Sequence, residues 1–223
     1  MINSIISMRN KYLRKSKMLP YLRYTFLVSL TFFIANSSSA QDSIRVTNTE
    51  LDIGRNLQSV LDFENIHIEQ LGFEGNSLNG KSYTITLEEF KGHEKNSTSI
   101  LFDGTEDDIF KIRDGKETLE FLFKCSDSKL KIVIRGKIFA SKKQYFNLLS
   151  DEDLYAVKDF FGSKSTINIG ANGSHTLFAI ITPTIHKNGT ASYCEVAQSS
   201  VKPEDIGRVF LIPHYFLVKI EFH

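Results

Sequence analysis

The densest run of oxygen donors in this 223-residue chain is Asp103-Gly104-Thr105-Glu106-Asp107-Asp108, and the chemistry open to it is binding of a hard cation. Its spacing lacks the alternating ligands and closing glutamate of an EF-hand loop. The run therefore reads as a solvated turn between a strand at 99–102 and another at 109–112. Six histidines, at 67, 93, 175, 186, 214 and 223, show no HxH or HExxH spacing, and the two cysteines form no CxxC, so no metal-ligating residue is assigned. Serine, histidine and aspartate all occur, yet no GxSxG elbow exposes a nucleophile. Glu88 and Glu89 are neighbours; on a strand they face opposite sides and cannot flank one substrate bond. His214, between Pro213 and Tyr215, reads as a packed or capping residue. No catalytic or cofactor-binding residue is assigned, and no cofactor is predicted.

The remaining reactive pair is Cys125 and Cys194. A disulfide between them would close a loop of about 70 residues and contribute about 4 kcal/mol on the chain-entropy view. Two buried free thiols are the equal alternative, since sequence alone does not bring the two Cβ atoms within reach. Asn96-Ser97-Thr98, Asn172-Gly173-Ser174 and Asn188-Gly189-Thr190 match the N-glycosylation triplet, and the latter two also make good turns.

What must position these residues begins after a leader. Residues 1–40 hold six Lys or Arg and no acid, then an apolar run from Tyr24 to Ala35 and a small-residue tail ending at Ala40. That order is a secretory signal peptide cut between Ala40 and Gln41. The run is about a dozen residues, short of the roughly 20 that span a bilayer, so no stable membrane span is expected after cleavage. The basic segment is long, and Met8 or Met18 is an alternative start to Met1. Removing the leader leaves 21 basic against 26 acidic side chains, a net charge of −5. No Lys/Arg run follows residue 40, so nucleic acid is not an expected partner.

Residues 41–223 read as one β-rich domain. Tyr83, Ile85 and Leu87 alternate with polar residues after Asn79-Gly80. Leu119, Phe121, Phe123 and Cys125 share a face, and Ser126-Asp127-Ser128 turns the chain into Leu130, Ile132 and Ile134 as a hairpin. Residues 176–186 and 190–198 are expected to pair across Asn188-Gly189. Leu177–Ile181 is apolar enough to be covered on both faces. Phe216, Val218, Ile220 and Phe222 form a last strand expected inside its sheet. Ser150 and the acids after it cap an expected helix at 151–161, with Leu154, Val157 and Phe161 on one face. Pro203 starts a shorter turn, and residues 50–62 admit either a helix or a strand. Seven to nine short strands with one main helix and no βαβ alternation predict an antiparallel β-sandwich.

The segment Thr190-Ala-Ser-Tyr-Cys-Glu-Val-Ala-Gln-Ser-Ser200 and the closing Ile212-Pro-His-Tyr-Phe-Leu-Val-Lys-Ile-Glu-Phe222, together with the Ala40-Gln41 cut, resemble uncharacterised exported proteins of Bacteroides-type bacteria. The resemblance spans the mature chain and carries over no site residue. It and the leader imply a periplasmic, surface or extracellular address. The function expected first is a non-catalytic envelope or surface module that binds protein or glycan, with Tyr83, Tyr145 and Tyr193 as aromatics that either form a platform or pack as core and cross-strand residues. The alternative is a secreted hydrolase whose site is assembled from distant loops.

Overall fold

The computed structural model describes residues 43–185, 189–193, 196 and 201–223. In chain order the first elements are β1 (Ser43–Thr49), α1 (Arg55–Phe63), β2 (Ile66–Glu74), β3 (Tyr83–Lys91) and β4 (Glu94–Asp103). Then come β5 (Lys116–Ser126), β6 (Lys129–Arg135), β7 (Gln144–Asn147), β8 (Ala156–Asp159) and β9 (Thr166–Gly170). The last are β10 (Ser174–Ile181), β11 (Thr184–Ile185), β12 (Ala191–Ser192), α2 (Ile206–Phe210) and β13 (His214–Phe222). Two antiparallel sheets pack face to face, in the orders β7-β6-β5-β2-β1-β9 and β4-β3-β13-β10-β8. This is the expected sandwich, with more strands than the sequence pattern resolved.

Alternation decides which side chains meet between the sheets. Phe121 and Phe123 of β5 lie edge-on to Phe178 of β10, at centroid distances of 5.1 and 5.7 Å. Phe73 of β2 meets Phe222 of β13 at 5.8 Å. The β5–β6 hairpin forms as expected: Ser126 pairs with Lys129, and Asp127 and Ser128 take φ of 55° and 56°, the left-handed pair a two-residue turn needs. β13 lies inside its sheet, between β3 and β10. Residues 177–181 are buried throughout: Phe178 and Ile180 face the main core, while Ala179 and Ile181 join a second cluster with Ile206, Ile212, Tyr215 and Leu217. The C-terminal excursion supplies that second layer over the outer face of the sheet.

Two expectations are corrected. The 151–161 segment is not a helix; it is a single 3-10 turn, Glu152–Leu154, followed by β8. Asp151 caps that turn through Asp153 N–H, but the Glu152 carboxylate accepts the N–H groups of Asp127 and Ser128 at 3.1 and 2.7 Å, holding the β5–β6 turn instead of a helix end. Ala156–Asp159 then pairs with Phe178–Ile181, so sheet hydrogen bonding overrides helical spacing. The longer of the two described α-helices, α1, falls instead at 55–63, in the segment left open between helix and strand. The second correction concerns residues 176–186: Ser174–Ile181 pairs with β8 and β13, and among the described residues the expected fold-back onto 190–198 is confined to Thr184–Ile185 with Ala191–Ser192. The Asn188 turn lies outside the described residues, and Pro203–Asp205 starts a turn that leads into α2, as expected.

Gly207 of α2 fixes how the second layer docks. A Cβ there would lie 2.0 Å from Gly92 O and 2.6 Å from the Tyr215 ring. Helix propensity alone favours Gly207→Ala by up to about 1 kcal/mol. Contact with a backbone oxygen reverses the sign, and we expect Gly207→Ala to destabilise by about 1–3 kcal/mol in urea titration; a stabilised variant would show that α2 is not tightly seated.

Candidate functional site

Polar side chains that share the phase of the buried strand faces gather at the strand ends. Glu117 precedes Leu119, Phe121 and Phe123 on the inner face of β5, and Tyr83 opens the inner face of β3. Tyr83 Oη donates to Glu117 Oε2 at 3.4 Å, bridging the two sheets, and Thr118 N–H donates to Glu117 Oε1 at 2.8 Å. Burial pushes the Glu117 carboxyl up, against the Thr118 and Tyr83 hydrogen bonds and the nearby Lys137 charge. Burial, with Glu117 beside it, raises the Tyr83 phenol far above its ordinary value.

Above this pair lies a groove of about 430 Å³ whose walls are the 109–114 and 137–139 segments, with Tyr83 and Glu117 beneath them. It adjoins an opening of about 600 Å³ lined by Gln70, Thr118, Glu120 and Arg135, and the two share Lys116, Glu117 and Lys137. Its aromatic support is continuous. Phe102 stacks on Phe139 at 3.9 Å, and Phe110 stands edge-on to both at 5.2 and 5.9 Å. Gly136 makes room for this, since a Cβ there would lie 2.1 Å from the Phe139 ring. Ile109 and Ile138 stand 55% and 58% exposed at the mouth. Of the basic lining, Lys111 pairs with Asp108, Lys116 with Glu74 and Arg135 with Glu120. Arg113 and Lys137 have no ion-pair partner among the described residues.

Far along β3 and β5, the sandwich carries different chemistry. Asn48, His67 and Glu69 share the phase of buried Val46 and Leu71, and Asp159 of β8 shares that of Val157. Asn48 Nδ2 donates to Asp159 Oδ2 at 3.2 Å. Burial raises the Glu69 carboxyl; the Asn48 hydrogen bond opposes this and the Asp159 charge adds to it. Burial lowers His67, against the pull of Asp62. Asn48, His67 and Glu69 line a cleft of about 370 Å³ beneath α1, which exposes Leu57, Val60 and Phe63.

His214 is 1% exposed, packed as expected, and it links two further groups. Its Nε2 lies 3.2 Å from Glu89 Oε1 and its Nδ1 lies 2.6 Å from Tyr155 Oη. Burial acts to raise Glu89, but donors from Asn96, Ser97 and His214 outweigh it and hold this carboxyl low. An ionised carboxylate only accepts, so Nε2–H donates to Glu89 and Nδ1 accepts from Tyr155.

The acidic run is a turn, with Asp103 accepting from Thr105 and Asp107 from Ile109 N–H, but residues 109–112 form part of a 3-10 turn and coil, not a strand. Glu88 and Glu89 serve separate partners, Lys95 and Lys219 for the first and His214 for the second. Tyr83, Tyr145 and Tyr193 form no shared platform: Tyr83 is core, Tyr145 is 59% exposed on β7, and Tyr193 donates to Leu154 O. Cys125 is a buried free thiol that burial, with Glu152 nearby, pushes up to about 12; Cys194 lies outside the described residues. His67, Glu69, Tyr155 and Glu117 were not singled out from sequence. The available signal was a polar residue in phase with a buried strand face at that strand's end.

No protein-family model, no curated protein and no solved structure matches the chain.

His214 gives a pH signature. Burial lowers its folded-state pKa below 6.5, so below that pH the unfolded chain takes up a proton that the folded chain refuses. This contribution is intact above about pH 6.5 and is lost as pH falls, by up to about 1.4 kcal/mol per pH unit. Urea midpoints from pH 8 to 5 should fall more steeply for the native chain than for His214→Gln; parallel slopes would contradict a neutral His214.

Proposed function

We propose that the chain is an exported, non-catalytic module of the bacterial cell envelope that binds a glycan in the Tyr83–Glu117 groove. The carrying observation is the combination of half-buried ring edges from Phe110 and Phe139 with Gln70, Thr118 and Glu120 alongside. Sugars need both: C–H faces to lie on apolar surface and hydroxyls to meet carboxylate, amide and hydroxyl groups. Export rests on the 1–40 leader. No helix among the described residues is long and apolar enough to cross a membrane.

Two measurements test this reading. The exported product should begin at Gln41 by mass spectrometry. On a glycan array the purified chain should bind at least one class of glycan, and Phe139→Ala should weaken that binding at least tenfold while leaving the fold intact. An empty array, or binding indifferent to Phe139→Ala, would remove the support for the groove as the site.

His67 and Glu69, which line one cleft, with the Asp159 charge acting on Glu69, favour a second reading, a secreted hydrolase. Glu69, held protonated to higher pH, would act as general acid and Asp159 as the charged partner. Turnover of a chromogenic glycoside or ester, falling about 100-fold or more in Glu69→Gln and Asp159→Asn, would establish it; absence of turnover by the native chain would exclude it for those substrates.

A further inference from the structure

We infer that the groove selects an acidic glycan, one whose sugar carries a carboxylate, and this rests on the glycan reading above. The lining of the two joined openings holds five basic side chains against three acidic ones, in a chain that is net −5 after its leader. Asp108 and Glu74, which pair with Lys111 and Lys116 from outside the lining, bring the local charges into balance, so the preference turns on which cations are left without an ion pair. Three of the five cations are held by acids beside them, as described above. The two that are not, Arg113 and Lys137, come from the two segments that wall the groove, flanking the aromatic support between them. Glu117 offsets Lys137 only in part, since its oxygens accept from Tyr83 and Thr118 N–H and it makes no ion pair with the lysine. Asp114 remains at the rim, so the excess is about one charge and not a broad basic face. That suits one carboxylate per sugar unit, and it falls short of the phosphate contacts a nucleic acid would require. Arg113 presents a fork that matches a carboxylate with two parallel hydrogen bonds, and Lys137 adds a point charge.

The test pairs an oligogalacturonate with its methyl ester, which keeps the sugar backbone and removes the charge, in calorimetric titrations of the full chain beside the array. The acid should bind at least tenfold more tightly than the ester. Arg113→Gln with Lys137→Gln should abolish that difference, as should raising salt from about 50 to 500 mM, because exposed charges are screened. Both side chains are exposed and unpaired, so the double variant should fold normally. Equal binding of acid and ester, or an array that retains only neutral glycans, overturns the inference and leaves the glycan reading standing. An array that retains no glycan overturns both.

Discussion

Burial of β13 on both faces is the constraint from which the rest of the architecture follows. Its inner residues, Phe216, Val218, Ile220 and Phe222, join the core between the sheets, which requires β5 and β2 to present Phe121, Phe123 and Phe73 opposite them. Its outer residues, Tyr215 and Leu217, need a second cover, which the excursion between β10 and β13 provides with Ile206 and Ile212. The cover has an electrostatic consequence. Lys219 lies on the covered face, 9% exposed, and burial would lower its pKa, but Glu204 and Glu88 outweigh that and raise it. The Glu88 contact is 3.0 Å and Glu204 also accepts from it. A buried cation left without those carboxylates would carry an uncompensated desolvation cost of several kcal/mol.

The same two-residue period that fills the core also explains where the chemistry lies. A strand whose inner face is apolar through its middle must stop somewhere, and the positions in phase at its ends are only half withdrawn from water. There the interior tolerates polar groups that find partners. Glu117 and Tyr83 meet at one end of β5 and β3; Glu89 and His214 meet at the other end of β3. Asn48, His67 and Glu69 do the same where β1 leaves β2, since β1 pairs only as far as Gln70. These groups are separated by 34 to 125 residues in the chain where hydrogen bonds join them, as for Tyr83 with Glu117 and Glu89 with His214.

That separation sets what the sequence could disclose. The β5–β6 turn was legible because Asp127 and Ser128 act locally. The double burial of 177–181 and the interior place of β13 were legible because apolar runs report burial directly. The 151–161 segment misled because Leu154, Val157 and Phe161 fit a helical face while Val157 also fits a strand, and only the edge of β10 decides between them. Helix α1 was ambiguous for the opposite reason: Leu57, Val60 and Phe63 are apolar at helical spacing, yet none is buried, so no packing signal reinforced the pattern. The groove was not legible at all. Its walls come from loops that follow β4 and β6, and nothing local in either says that Phe110 and Phe139 will touch.

Polar clusters of similar composition are distinguished by whether their members are already satisfied. In the Tyr155–His214–Glu89 chain every group has a partner: Leu149 N–H donates to the tyrosine oxygen, the tyrosine to the imidazole, and the imidazole to a carboxylate also held by Asn96 and Ser97. Such a chain has no donor left for a ligand and acts by fixing β3, β13 and the turn before β8 to one another. The groove differs in this respect. Its inward pair, Tyr83 and Glu117, is closed, but Arg113 and Lys137 are exposed and make no ion pair among the described residues. Phe110 and Phe139 are half-exposed in the same groove that Arg113 and Lys137 line, and such apolar surface is more stable covered. On the proposed reading, a ligand with a flat apolar face and a negative group would cover the rings and meet the charges in one step. On that same reading, the groove matters because it sets exposed apolar ring surface and cations without an ion pair side by side.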